Sequence, residues 1–261
     1  MDASLWIAKT GLDAQQKRMS VISNNLANVN TTGFKRDRAN FEDLLYQNVR
    51  QPGGQTGADT LTPTGLMMGT GTRILATEKI HAQGNMINTE NALDIAVDGP
   101  GFFQITQADG TIAYSRDGAF KILPTGQVVT GNGGFLEPAI IIPDNAASVS
   151  IGRDGTVTAE LVAGGGQVGL GQINLARFVN PAGLQPIGQN LYKETAASGV
   201  PIVLVPGTEG IGFLRQGMLE ASNVNVVEEM VNMIETQRAY EVNSKSISAT
   251  DGMLRFLNQN L

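Results

Sequence analysis

Histidine occurs once in this chain, at position 81, and cysteine does not occur. One imidazole excludes multi-histidine metal sites, and any Ser-His-Asp arrangement would rest on it alone. It sits in Glu78-Lys79-Ile80-His81-Ala82-Gln83-Gly84, which reads as a surface strand or loop. Carboxylates are the other candidates. Asp94, Asp98, Asp109 and Asp117 form the dense set, and two carboxylates facing a cleft could hydrolyse a glycan. Three of the four precede glycine, and Asp-Gly is a tight-turn pair, so turn formation accounts for them. Glycine clusters at 131–134, 164–166 and 207–212 lack the Lys-Ser/Thr of a phosphate loop, and no strand-to-helix switch follows them. The expectation is a chain without catalytic residues, metal or cofactor.

The strongest pattern is apolar and lies at the two ends. Leu5, Leu12, Met19 and Leu26 recur every seventh residue, with Ala8, Ile22 and Val29 on the adjacent seam. Val226, Met233, Tyr240, Ile247, Leu254 and Leu261 repeat the spacing at the other end. A seven-residue period keeps one stripe facing a partner helix. Residues 3–29 read as one helix of roughly 40 Å, closed by the Asn, Thr and Gly residues of 24–33. Asn225 reads as the N-cap of the last helix, with Glu228 three residues on. Gln15, Gln237, Ser244, Asp251 and Asn258 fall at core-type spacing and call for hydrogen-bond partners in a crowded multi-helix wall. Each seam side chain contributes about 1.5–3 kcal/mol on burial, against roughly 1–2 kcal/mol of backbone entropy per ordered residue. Isolated helices therefore gain little, and both ends are expected to be mobile in the monomer and to order when subunits stack.

Residues 34–50 carry a weaker helical pattern (Phe41, Leu44, Leu45, Val49). Residues 51–71 are rich in Gly, Pro and Thr and read as a loop or extended arm. From about 72 to 213 short apolar runs alternate with turn residues. The strand candidates are 94–97, 101–105, 119–123, 127–129, 139–142, 149–151, 156–158 and 172–178, with a helical turn near 181–184. No amphipathic helix interrupts them, so this region is expected to be mostly antiparallel β.

Composition supports assembly over other classes. The 18 basic and 24 acidic residues give a net charge of −6, and no basic patch with interleaved aromatics suggests nucleic acid. From residue 220 onward six acidic residues face three basic ones (Arg238, Lys245, Arg255), the wrong balance for an anionic membrane surface. No apolar run approaches the roughly 20 residues of a span. The first residues lack the pattern of a cleavable signal peptide, so export, if any, is expected to use a route that reads none.

The segment Asn28-Val29-Asn30-Thr31-Thr32-Gly33-Phe34-Lys35-Arg36 resembles the signature of bacterial flagellar basal-body rod and hook proteins. The segment 222–254 resembles that family's C-terminal helix, and 101–138 its shared β segment. The signature positions are Asn28, Asn30, Thr32, Gly33 and Phe34. The resemblance implies a self-assembling structural subunit of the distal rod, a rigid helical tube that transmits torque across the periplasm and encloses an export channel. Implied partners are further copies of the chain, proximal rod proteins, the hook protein, the peptidoglycan and outer-membrane ring proteins, and the flagellar type III export apparatus. Nucleic acid and direct membrane insertion are not implied. The stretch from Tyr46 to Gly65, with Gln51, Pro52, Gly53 and Pro63, resembles the longer arm of distal rod proteins and would stiffen the shaft.

The expected fold class is α+β. Residues 1–30 and 225–261 would form terminal helices in an inner coiled-coil domain. Residues 31–75 and 212–224 would link them, with the arm at about 46–65, to an outer β domain at 76–211. A proximal rod or hook-type subunit is the nearest alternative, and a secreted peptidoglycan hydrolase on a helical stalk is the alternative of another class.

Overall fold

The opening apolar periodicity becomes a helix, α1 (Ala3–Ala27), and the closing one becomes α2 (Val226–Gln259). The computed structural model describes residues 3–53, 63–162 and 166–259. The chain divides into two compact units. Unit one holds both helices and residues 37–78. Unit two holds residues 28–36 and 79–224.

Within unit one, α1 and α2 pack on one another. The buried positions of α1 are small or branched: Ala8, Ala14, Asn25 and Ile22. A Cβ added at Gly11 would lie 3.2 Å from the Asn243 side chain, so small residues set the closeness of this packing. Asn225 caps α2 as expected, its Oδ1 accepting from the Val227 amide at 3.1 Å, while Glu228 and Glu229 occupy the first turn, where carboxylates suit the helix dipole. The first helix is shorter than expected. It stops at Ala27, and Val29 lies in the turn beyond. Asn28 ends it by local competition: its backbone carbonyl accepts from the Thr31 amide and its Oδ1 from the Thr31 hydroxyl, both at 3.2 Å.

The helical reading of 34–50 is overturned. Those residues supply β1 (Asp37–Asp43) and β2 (Gln47–Arg50), followed by β3 (Leu66–Met68) and β4 (Thr72–Lys79). The 41, 44, 45 spacing imitates a helix locally, but β1 pairs with β4 and β2 with β3, partners some thirty and twenty residues away. Asn25 ties β1 to the first helix. Its amide donates to the Asp37 carbonyl at 2.9 Å and its carbonyl oxygen accepts from the Asp37 amide at 2.8 Å.

Unit two is antiparallel β. One sheet runs in the order 185–188, 191–193, 112–115, 102–106, 135–137, 128–130, 120–122; strand 175–177 joins it at Phe102 and Phe103, and strand 202–204 pairs with 175–177. Strands 146–151, 156–161 and 167–172 make a second, three-stranded sheet. Between them lies a core of Ile95, Val97, Phe103, Ile105, Leu136, Val157, Ile173, Leu175 and Leu214. Two strand expectations need correction. Residues 139–142 make only an isolated bridge at Ile141, because Pro138 and Pro143 bracket the run and prolines donate no ladder bonds. The expected run 172–178 breaks at Ile173, whose amide donates to the Gly155 carbonyl, so strands 167–172 and 175–177 serve different sheets. The helical turn expected near 181 is a single 3₁₀ turn, Pro181–Gly183.

Candidate assembly interface and its buried anchor

The predicted seam residues separate into two groups. On α1, Leu5, Leu12, Met19 and Leu26 are half-buried and Ile22 is buried. On α2, Met233, Ile247 and Leu254 are half-buried, whereas Val226 and Tyr240 are exposed. Leu261 lies outside the described residues. Of the polar residues at seam spacing, Gln237, Ser244 and Asp251 are exposed, and Asp251 pairs with Arg255 at 2.9 Å. Their expected burial does not occur within the chain. Gln15 differs: its side-chain oxygen is buried without a hydrogen-bond partner. The Asn258 side chain lies outside the described residues.

A second apolar stripe on α2 escaped the seven-residue reading. Val227 is 70% exposed, and Met230, Val231 and Ile234 are each about half exposed. They stand three and four residues apart, so they share one face. Val242 and Met253 extend the exposed apolar surface toward the C-terminal end. The signal was present in the sequence, but the seam at 226, 233 and 240 masked a parallel one.

The arm is a two-stranded hairpin in its described part. Gln47 faces Met68, Asn48 faces Met67 and Arg50 faces Leu66, and all seven residues of β2 and β3 are exposed. Leu45 is 89% exposed, and Tyr46 and Val49 are exposed beside it. Gly65 sits where a Cβ would lie 2.6 Å from the Pro52 ring and 2.7 Å from the Arg50 carbonyl oxygen. That close approach brings Pro52 and Gly65 together, while Gln51 and Gly53 form the turn region after β2 and Pro63 precedes β3. Arm residues 54–62 lie outside the described residues.

The signature segment belongs to unit two and is held by a buried charge cluster. Lys35 is 2% exposed, Arg116 5% and Glu220 2%. The Lys35 ammonium donates to Glu220 Oε1 at 2.6 Å and to the Ala82 carbonyl at 2.9 Å. Arg116 Nε donates to Glu220 Oε2, and its two Nη groups donate to the carbonyls of Val97, Gly99 and Gly101. The Gly84 amide adds a bond to Oε1 at 2.8 Å. Burial works against the Glu220 carboxylate, but Arg116 and Lys35 outweigh it and hold the group below its usual range. Burial pulls the Lys35 ammonium down further than Glu220 restores it. Ion pairs this dry persist only when most of their remaining polar atoms also find partners, as the carbonyls of Ala82, Val97, Gly99 and Gly101 provide here.

Each remaining signature position then has a physical role or a place. The Thr32 hydroxyl donates to Asp117 at 3.0 Å, and the Gly33 amide to the Glu220 carbonyl at 2.8 Å. The Phe34 ring lies 4.9 Å from the Lys79 ammonium. Asn223 receives the Arg36 amide at 2.7 Å and donates to the Ile80 carbonyl at 2.8 Å. Asn28 shapes the turn after α1, and Asn30 is exposed within it. Gly33 has φ +67° with Arg116 and Asp117 backbone atoms 2.8 Å from where a Cβ would sit. We therefore expect Gly33→Ala to destabilise unit two by about 2 kcal/mol or more, from the left-handed backbone alone and from the clash. Urea unfolding checks this; an unchanged midpoint would contradict the packing. The sequence alone assigns no role to Lys35, Arg116, Glu220 or Asn223. A lone glutamate between Leu219 and Ala221, in a chain with 16% charged residues, was the available clue.

Each of the four aspartates holds a structural hydrogen bond, Asp94 accepting from the Asn91 side-chain amide at 3.0 Å. Asp109 Oδ1 accepts from the Thr111 amide and hydroxyl, Asp117 from Thr32 and the Ala119 amide, and Asp98 from Arg215. The hydrogen bonds of Arg215 hold Asp98 below the usual carboxylate range, and those of Thr111 do the same for Asp109, the opposite of a general acid. His81 needs correction. It lies in a loop as expected but is half-buried: both ring nitrogens are buried, and the ring stands edge-on to Phe102 and Tyr192 at 5.6 and 5.7 Å.

Comparison with known proteins identifies the assembly class. Residues 5–35 match the family described as flagella basal body rod protein, 96–159 the flagellar hook protein FlgE/F/G D1 domain, and 215–260 the flagellar basal body rod FlgEFG protein C-terminal family. The chain is 56% identical over 259 residues to the flagellar basal-body rod protein FlgG of Buchnera aphidicola subsp. Schizaphis graminum, covering 99% of this chain and all of that one. The chain belongs to the flagellar basal-body rod protein family. The FlgG proteins of Borreliella burgdorferi (48% identical, 99% of this chain and 98% of the other) and Bacillus subtilis (40%, 97% of each) match along nearly the whole length. The family is structural, a rod subunit of the flagellar basal body and not an enzyme, which disfavours the hydrolase reading. Membership places the chain in the basal body among other flagellar components. No helix among the described residues is long and apolar enough to cross a membrane.

Proposed function

We propose that copies of this chain stack into the distal rod, a rigid helical tube in which α1 and α2 line the inside as a coiled-coil wall and the β unit faces outward. The tube transmits torque across the periplasm and encloses the channel through which later components pass. Its neighbours are proximal rod proteins, the hook protein and the peptidoglycan and outer-membrane ring proteins. The type III export apparatus delivers it without a cleaved signal, and the terminal segments gain most of their order on stacking.

The exposed apolar face of α2 carries this reading. Surface apolar residues occurring singly need no explanation, but a stripe of four on two helical turns calls for a covering surface. Like copies supply one of the right chemistry, since each brings the same stripe. The seven exposed arm residues support a role between subunits, where a hairpin crossing a neighbour adds contacts that resist bending.

Electron microscopy of the concentrated purified chain tests both points. Straight tubes are the expected result, and a chain lacking residues 47–64 is expected to give curved or softer ones. Dispersed particles at all concentrations would reject the polymer, and deletion tubes of unchanged stiffness would reject the arm.

A further inference from the structure

Unit two contains a cavity of about 290 Å³. Three cations line it, Lys35, Arg116 and Arg177, together with the rings of His81, Phe102 and Phe178, and none of its lining residues is a carboxylate. Donors remain unused there. Lys35 spends two of its three N–H groups on Glu220 and Ala82, and the exposed Arg177 donates from Nη1 to the Glu209 carbonyl at 2.9 Å. His81 is half-buried with both ring nitrogens buried, and neither makes a hydrogen bond of ordinary geometry, although the Pro181 carbonyl lies close enough to favour the charged ring slightly. Buried polar atoms in native proteins normally find partners, so two buried ring nitrogens beside a cavity are open to a ligand there. Burial first, then the positive charges of Lys35, Lys79 and Arg116, push its pKa down to about 4. The ring is therefore neutral at pH 7 and offers one N–H.

We infer that this cavity binds a carboxylate carried on a short apolar stem. Lys35, Arg177 and the His81 N–H would meet the oxygens, and Phe102 and Phe178, whose rings stand edge-to-face at 5.9 Å, would meet the stem. The size sits at the small end of ligand pockets, suited to a group such as an aryl or short-chain acid. The carboxylate has two possible sources, a free small acid or an acidic side chain of a second copy. A chain of net charge −6 has such side chains to offer, and a recessed cationic pocket offsets the repulsion between copies.

Because His81 is the sole histidine, carbon-13 histidine labelling of the full chain gives one imidazole signal. Titrating the dilute protein with sodium benzoate should shift that signal saturably, while matched sodium chloride does not. Bound benzoate should also raise the protonation midpoint of the ring, because its charge offsets the neighbouring cations. Arg177→Gln, at an exposed position outside the core, should weaken half-saturation about tenfold with an unchanged thermal unfolding curve, the fold-change for one charge-assisted hydrogen bond. A linear response identical to chloride overturns the inference, as does full benzoate affinity in Arg177→Gln. Sedimented polymer separates the sources. A signal already at the benzoate-saturated position supports a neighbouring copy as donor, and one that still titrates supports a free acid. A signal at the ligand-free position that ignores benzoate overturns the site.

Discussion

Glu220→Gln is expected to cost unit two about 3–5 kcal/mol, because it strands two buried cations and keeps the shape of the side chain. Lys35 and Arg116 both depend on that one carboxylate for their countercharge, and neither can reach bulk water at 2% and 5% exposure. Total stability of a domain is commonly about 5–15 kcal/mol, so this single oxygen-to-nitrogen exchange removes a large fraction of it. Urea unfolding followed by far-ultraviolet circular dichroism provides the measurement, and a midpoint equal to the parent would refute the account. Asp13→Asn, which breaks the exposed Asp13–Lys17 pair at 3.1 Å, serves as the control and should change little.

The pH dependence follows with a definite sign. The folded pKa of Glu220 lies below its ordinary 4.5, so its contribution is complete above that value and is lost as the pH falls through the folded value. His81 acts over a higher window. Its pKa falls from 6.5 to about 4 on folding, so the unfolded chain takes up a proton that the folded chain refuses. Stability should therefore begin to fall below about pH 6.5, a window above that of Glu220.

The double variant Val231→Asp, Ile234→Asp should abolish tube formation while leaving the monomer folded. Both side chains are about half exposed within a chain, so two carboxylates there meet water and cost little more than helix propensity. Across a subunit contact the same groups replace two apolar anchors worth about 1.5–3 kcal/mol each. Losing about 3 kcal/mol raises the critical concentration more than a hundredfold, and sedimentation across a concentration series reads it. Normal tubes from this variant would show that the stripe faces solvent in the polymer, and a new covering surface would then have to be found.

Much of the fold was legible because its signals are local. The helices at 3–27 and 226–259 announce themselves by repeated apolar spacing, the Asn225 cap by one residue type in front of Glu228 and Glu229, and the β region by Asp-Gly turns between short apolar runs. The errors have two origins, long-range pairing and a local brake on ladder bonds. Residues 37–50 carry helical spacing, yet strands 20–40 residues away claim them. Residues 139–142 look like a strand but are flanked by prolines that leave them one bridge.

What the sequence determined by itself was the class: two apolar helices, a β region and the signature Asn28–Arg36, each written in neighbouring residues and so readable without coordinates. What only the tertiary structure decided was how the signature is held. Lys35, Arg116 and Glu220 lie 81 and 104 positions apart along the chain, and their pairing energy depends on burial, which no local window reports. The same holds for His81, whose flanking sequence reads as surface. Its environment is set by Phe102 and Tyr192, which backbone pairing elsewhere in the sheet brings against it.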